Sequence, residues 1–277
     1  MAGKASLETD PERFVLAAFH LTKTYRQARW LSRHDNSIPA LQDVSMSIGR
    51  GRIMGLVGES GSGKSTLARC IACLDRPNEG QVWMDGSNLL GLNGRELRAA
   101  RREIQIIFQG SAATLNPRFS GLEIVAEPLA ILGRLAKHER RERALALIEN
   151  VGLPRQLAER NPSELSRGQR QRLAIARALA VRPKLIILDE SLAGLDLPVQ
   201  AQIVNLLLDL QRSLAISYLF ISHDLRLAAH LADDLAVMNR GRIVEQGPAQ
   251  EVVRDPQHAH TQALLGAAAQ LSRDLFV

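Results

Sequence analysis

The 277-residue sequence predicts an α/β protein, a mostly parallel sheet with helices on its faces and a helical subdomain inserted into it. Three observations carry this reading. Short apolar runs alternate with helical patterns from Leu185 onward. Between Gln109 and about Val181 strand-like runs vanish and helical periodicity takes over. Finally, Gly58-Glu59-Ser60-Gly61-Ser62-Gly63-Lys64-Ser65 stands between an apolar strand and a helix. It spells G-x-x-x-x-G-K-[ST], a phosphate-binding loop (P-loop), in the strand–loop–helix context that the motif needs. With ordinary residue usage such a match arises by accident in about one percent or less of chains this long.

The elements follow in order. Arg13 to His20 reads as an edge strand running on to Lys23-Thr24-Tyr25, and Gln27 to Pro39 as a polar surface excursion. Leu41 to Ile48 alternates like a strand with one wet face, and Ile53 to Val57 is a buried strand. A helix over Lys64–Leu74 follows the loop, then strands over Gly80–Asp85 and Ile104–Phe108. Helical spacing covers Leu122–Leu132, Arg140–Val151 and Gly168–Val181. Alternation then returns, with strands at Leu185–Leu188, Ile216–Ile221 and Leu235–Met238 and helices at Pro198–Arg212 and Leu225–Ala232. From Pro248 the tail is short and amphipathic.

Bulk properties narrow the function classes. A chain of 277 residues has room for one large α/β domain, or for a core with a smaller inserted one. No apolar run reaches the ~18–20 residues of a membrane-spanning helix, and Met1 to Pro11 lacks the apolar stretch of a signal peptide. A cytoplasmic protein is therefore expected. The net charge of +6 comes from arginine, since only five of the 35 basic residues are lysine. The arginines are scattered and aromatics make up 4%, so no base-stacking platform, and no nucleic-acid partner, is expected. Cys70 and Cys73 have redox or half-zinc spacing. They lie one turn apart in the helix after the loop, with no second ligand pair, and read as small buried residues.

The chemistry lies in four stretches. In the loop, glycines let successive N–H groups turn inward around phosphate oxygens while the helix end adds positive charge. Lys64 would reach the β- and γ-phosphates, and Ser65 would sit on Mg²⁺, with Thr66 beside it. Leu185-Ile186-Ile187-Leu188 delivers Asp189 and Glu190 to the carboxyl edge of the sheet. There Asp189 would orient Mg²⁺ through water and Glu190 would take a proton from the attacking water. Glu164-Leu165-Ser166-Arg167-Gly168-Gln169 opens a long helix, with Ser166 as its N-cap and a second anion site beyond it.

Together these stretches resemble the nucleotide-binding subunits of ATP-binding-cassette (ABC) transporters, from Tyr25 to the tail. The resemblance implies an ABC-type nucleotide-binding domain with an added antiparallel β subdomain. Its implied bounds are a tail over 1–12, the domain over 13–247 with the helical subdomain over about 110–181, and an extension over 248–277. It implies ATP and Mg²⁺, with adenine stacked on Tyr25 and Gln109 sensing Mg²⁺ and the γ-phosphate. Ser166, Gly168 and Gln169 would close on ATP held by a second cassette in a head-to-tail dimer. Ser191 to Asp196 would be the loop crossing that dimer, and His223 the switch facing the γ-phosphate. The helical subdomain, hinged near Gln109, would dock on the coupling helix of one of two membrane permeases, at the cytoplasmic face of the inner membrane.

Leu115-Asn116-Pro117-Arg118, Leu197 to Ile203, and Asp255-Pro256-Gln257-His258-Ala259-His260-Thr261-Gln262-Ala263-Leu264-Leu265 look like the ATPases of oligopeptide, dipeptide and nickel importers. That similarity implies a non-identical partner ATPase and, indirectly, an extracytoplasmic solute-binding protein. It leaves open an ATPase of a soluble complex such as carbon–phosphorus lyase. His258 and His260 are read as part of the tail motif, since two ligands do not make a metal site. Three departures stand out: Arg167 in place of the first signature glycine, Ser191 in place of a common proline, and no cysteine after Cys73 to build a tail metal cluster.

Overall fold

The structure, a computed structural model, describes residues 14–26, 37–110, 115–133 and 135–274, with side chains as far as residue 267. In chain order come β1 (Phe14–Arg26), β2 (Ser37–Gly49), β3 (Ile53–Val57), α1 (Lys64–Ile71), β4 (Glu79–Met84), β5 (Ser87–Asn88) and α2 (Gly94–Glu103). Next are β6 (Ile104–Ile107), α3 (Gly121–Leu132), α4 (Lys137–Asn150), α5 (Arg167–Leu179), β7 (Leu185–Asp189) and α6 (Leu197–Leu214). The chain ends with β8 (Ser217–Ser222), α7 (Leu225–Leu231), β9 (Asp234–Asn239), β10 (Arg242–Pro248), α8 (Ala249–Arg254) and α9 (Ala259–Asp274). Two compact units result, Met1–Arg101 with Ser217–Val277, and Arg102–Ile216.

The first unit holds an antiparallel sheet in the order β2-β1-β4-β5. It also holds β9, β3 and β8 side by side and parallel, with β10 antiparallel outside β9. β3 and β8 are buried along their whole length, which is why both read as continuous apolar runs. β1 corrects an expectation. It is an inner strand, paired with β2 on one side and β4 on the other. Val15, Leu16, Ala17, Ala18 and Leu21 on it are buried. Of the expected surface excursion, residues 27–36 lie outside the described residues, while Ser37–Pro39 already belong to β2.

In the second unit β6 and β7 form a parallel pair, Ile104 opposite Leu185 through Ile107 opposite Leu188. Helices α3, α4 and α5 pack on one another through Leu122, Val125 and Leu129, through Ala144, Leu145 and Ile148, and through Leu173 and Ala176. α6 buries Ile203, Val204, Leu207 and Leu210, one stripe at helical spacing. Ser120 and Ser166 each accept an N–H from the third residue of their helix, and Glu123 and Gln169 reach back, giving two capping boxes. No helix among the described residues is long and apolar enough to cross a membrane.

One carboxylate ties the tail back to β10. Glu245 on β10 accepts the N–H of Gln257 at 2.8 Å and of His258 at 3.1 Å. His258 Nδ1 in turn accepts the N–H of His260, so the paired histidines serve the tail's own backbone. Desolvation pushes the Glu245 pKa up, but the Thr261 hydroxyl and the two N–H donors outweigh it and hold it below the usual range. Among the described residues the two N–H groups supply the anchor's hydrogen bonds of normal geometry. Glu245→Ala should cost about 1–2 kcal/mol of tail docking, read as lost hydrogen-exchange protection at Gln257 and His258. Because the folded pKa is depressed, protection should hold above the ordinary glutamate value of 4.5 and fade as pH drops through the lowered one.

Candidate active site

In the first unit, the chain leaves β3 at Val57 and enters the glycine-rich loop, which closes on α1. Two of its glycines are fixed by packing. A Cβ on Gly58 would lie 2.2 Å from the Met238 carbonyl oxygen, and one on Gly63, at φ +108°, would lie 2.5 Å from that of Ala40. The turn after β9 braces the loop from outside: the Gly241 N–H donates to Ser62 O at 2.8 Å, and Gly241 O accepts from Gln42 N at 2.7 Å. Sequence reasoning missed this brace, whose only trace is the Arg240-Gly241 turn between β9 and β10. Inside the loop Lys64, 4% exposed, donates to Gly58 O and Glu59 O, both at 2.8 Å.

The loop fits a polyphosphate. It places a buried ammonium at the N-terminus of a helix whose first turn carries no acidic residue. Glu59, Ser60, Gly61 and Ser65 are exposed on it, and Thr66 is half-buried behind them.

His223 reaches the same sheet edge. Val57 pairs with Ser222 in the parallel β3–β8 ladder, so Gly58 and His223 leave neighbouring strands at one level. Ser222 Oγ accepts the Asp224 N–H at 2.9 Å, and Asp224 caps α7 by accepting from Arg226 and Leu227. This capped turn leaves His223 exposed. Tyr25, 38% exposed, donates its hydroxyl to Asp75 at 2.9 Å, beside Thr66, and the Lys23 ammonium stands 5.2 Å from its ring centre. Partial burial and the Asp75 carboxylate push the Tyr25 pKa up, so the ring stays neutral.

In the second unit the parallel register does the corresponding work. Ile107 lies opposite Leu188, so Gln109 and Glu190 each stand two residues beyond that pair, at the carboxyl ends of adjacent strands. Asp189 is 5% exposed at the end of β7, and Glu190 follows half-buried at φ +46°. A carboxylate beside an amide suits a hard cation such as Mg²⁺. Ser166 and Gln169 are tied to each other by the cap of α5, with Oγ at 3.2 Å from Gln169 N and Oε1 at 2.9 Å from Ser166 N. Gly168 is held close to α6: a Cβ there would lie 2.7 Å from Val199 Cγ1. Asp196 occupies the N-cap position of α6 without a side-chain cap bond.

The first unit thus gathers the phosphate loop and His223 at one edge, with Tyr25 against Thr66. The second gathers Gln109, Asp189 and Glu190, and joins the start of α5 to the residues around α6. Cys70 and Cys73 are free thiols, both buried, and burial pushes each pKa up to about 11. They sit in the core as neutral side chains.

Comparison with known proteins places the chain in a family. Residues 41–193 match the family model described as ABC transporter. The chain is 46% identical over 255 residues to the probable peptide ABC transporter ATP-binding protein y4tS of Sinorhizobium fredii (strain NBRC 101917 / NGR234), covering 92% of this chain and 72% of that one. It is 42% identical over 260 residues to the dipeptide transport ATP-binding protein DppF of Escherichia coli (strain K12), covering 94% and 78%. Among solved structures, the ATP-binding cassette MJ0796, a dimer bound to ADP and Pi, superposes with a TM-score of 0.74 at 33% identity, covering 84% of this chain and 98% of that one. With strands ending in a phosphate loop and an Asp-Glu pair, and with these matches along most of its length, the chain belongs to the ABC transporter family and is one of its ATP-hydrolysing cassettes.

Proposed function

We propose that this ATPase powers an importer of peptides or a related small solute. The observation that carries the hydrolytic half is Glu190. It follows Asp189 directly at the end of a fully buried strand, with Gln109 level with it on the next strand. The cargo class is supported by the relatives named for peptide and dipeptide transport.

In this reading Tyr25 stacks on adenine, and the loop from Gly58 to Ser65, with Thr66, wraps the phosphates. Ser65, Asp189 and Gln109 would hold Mg²⁺, which when bound would neutralise charge on the phosphate oxygens. Glu190 accepts a proton from water as its oxygen attacks the γ-phosphorus, and the bond to the bridging oxygen breaks to leave ADP. His223 faces the γ-phosphate and holds it during attack. Ser166, Gly168, Gln169 and Asp196 serve the nucleotide of a second cassette in a head-to-tail dimer, a non-identical chain. ATP favours the closed dimer and hydrolysis releases it, a population shift set by differential affinity. At the cytoplasmic face of the membrane the cassettes pass that shift to two permeases, which convert it into transport, and an extracytoplasmic binding protein supplies the solute.

Two substitutions test the assignment in the chain assembled with its partner ATPase. Glu190→Gln should retain ATP binding and lower phosphate release at least about a hundredfold, leaving a dimer that persists in gel filtration with ATP. Wild-type turnover in that variant would remove Glu190 from the role of base. Lys64→Ala should weaken nucleotide binding about tenfold or more in a fluorescence titration, because a desolvated charge-assisted contact to phosphate is lost. Unchanged affinity would show that the loop does not hold the phosphates.

A further inference from the structure

We propose that Arg167 is a positioning residue that straps the start of α5 to the loop following Glu190. Its consequence for turnover rests on the ATPase reading above, whereas the strap itself does not. An arginine beside a capped helix end has three destinations open to it: a nucleotide phosphate, solvent, or the protein. Here Arg167 Nη1 donates to the carbonyl oxygen of Gly194 at 3.1 Å. Gly194, at φ +78°, lies inside the 191–196 loop that links Glu190 to α6.

That loop is short of internal fastening. Its own backbone contributes two turn bonds, Ala193 N to Glu190 O at 3.1 Å and Leu195 N to Leu192 O at 3.3 Å. Ser191 opens it where a proline would have restricted φ. The Ser191 hydroxyl is buried and has no hydrogen-bond partner among the described residues, so that side chain does not fasten the loop there.

Fastening comes instead from outside. Gln200 Nε2 donates to Leu192 O at 3.2 Å and to Leu195 O at 3.1 Å. Arg167 takes the carbonyl between them. The reach is short because Gly168 lets the start of α5 close on Val199 of α6, on which the loop ends. A guanidinium keeps its charge at any working pH and donates in a planar fork, which suits it to hold a carbonyl in one place.

The test uses the full chain in two measurements. Without nucleotide, Arg167→Gly should speed hydrogen exchange at the Ala193 and Leu195 amides about fivefold, the effect of one lost hydrogen bond on local opening. Exchange in the phosphate loop should stay as it is. Arg167→Lys, which keeps a donor of similar length, should restore most of the protection. In the complex with the partner ATPase, Arg167→Gly should lower kcat about two- to fivefold and leave the KM for ATP unchanged.

Unchanged exchange at Ala193 and Leu195 overturns the strap, and a raised KM with unchanged exchange assigns Arg167 to the nucleotide instead. Faster exchange with unchanged kcat overturns the positioning role. If the wild-type complex released no phosphate at all, the functional reading would fall while the exchange result still decided the strap.

Discussion

A fully buried parallel strand can offer polar side chains only where it comes out into water, and the chemistry of this protein is arranged around that constraint. β3, β7 and β8 are buried at every position. Their first groups able to meet a ligand therefore lie at their carboxyl ends: Gly58, Asp189 with Glu190, and His223. Register then determines which of these are neighbours. Val57 opposite Ser222 sets the phosphate loop beside His223, and Ile107 opposite Leu188 sets Gln109 beside Glu190. A shift of one residue in either ladder would move these groups by about 3.3 Å along the strand, more than the tolerance of a hydrogen bond.

The phosphate loop depends on a second set of contacts that are not phosphate contacts. Gly58 and Gly63 are pressed against the carbonyls of Met238 and Ala40, closer than any side chain would allow. Gly241 is hydrogen-bonded on both sides, to Ser62 and to Gln42. Two glycines of the loop thus meet a packing requirement as well as a conformational one. The loop is wedged between β2 and β9 before any ligand arrives, so its N–H groups are oriented in advance. That is the economical arrangement for binding an anion, since the ordering entropy is spent during folding and not at each binding event.

Much of this was legible in the sequence because the informative residues are contiguous. The phosphate loop, the apolar run into Asp189-Glu190 and the Ser166 cap are each read within a few residues, and each lies on the element expected for it. The misreadings share a different physical cause. β1 looked like an edge because pairing on two sides is a property of its partners, β2 and β4, and leaves no local mark. α2 went unread because Arg-Glu-Leu-Arg-Ala-Ala-Arg-Arg buries no residue, so there is no apolar stripe to detect. β10 is only half-buried, and its value lies in Glu245, whose partners are more than ten residues downstream. The brace on Gly241 and the reach of Arg167 to Gly194 are likewise long-range facts, invisible to a reading that moves along the chain.

The loop after β7 shows why such distant contacts matter to chemistry. Glu190 sits at φ +46°, a left-handed conformation that costs an ordinary residue on the order of 1 kcal/mol. A strained backbone persists only where its surroundings hold it, and the first hold is the Ala193 N–H on the Glu190 carbonyl. One bond of about 1 kcal/mol does little more than offset that cost. What keeps Ala193 in place adds to that hold: the carbonyls of Leu192, Gly194 and Leu195, taken by Gln200 and Arg167. The backbone that follows Glu190 is therefore held in part by two side chains, one of them at the start of a helix that begins 23 residues earlier in the chain.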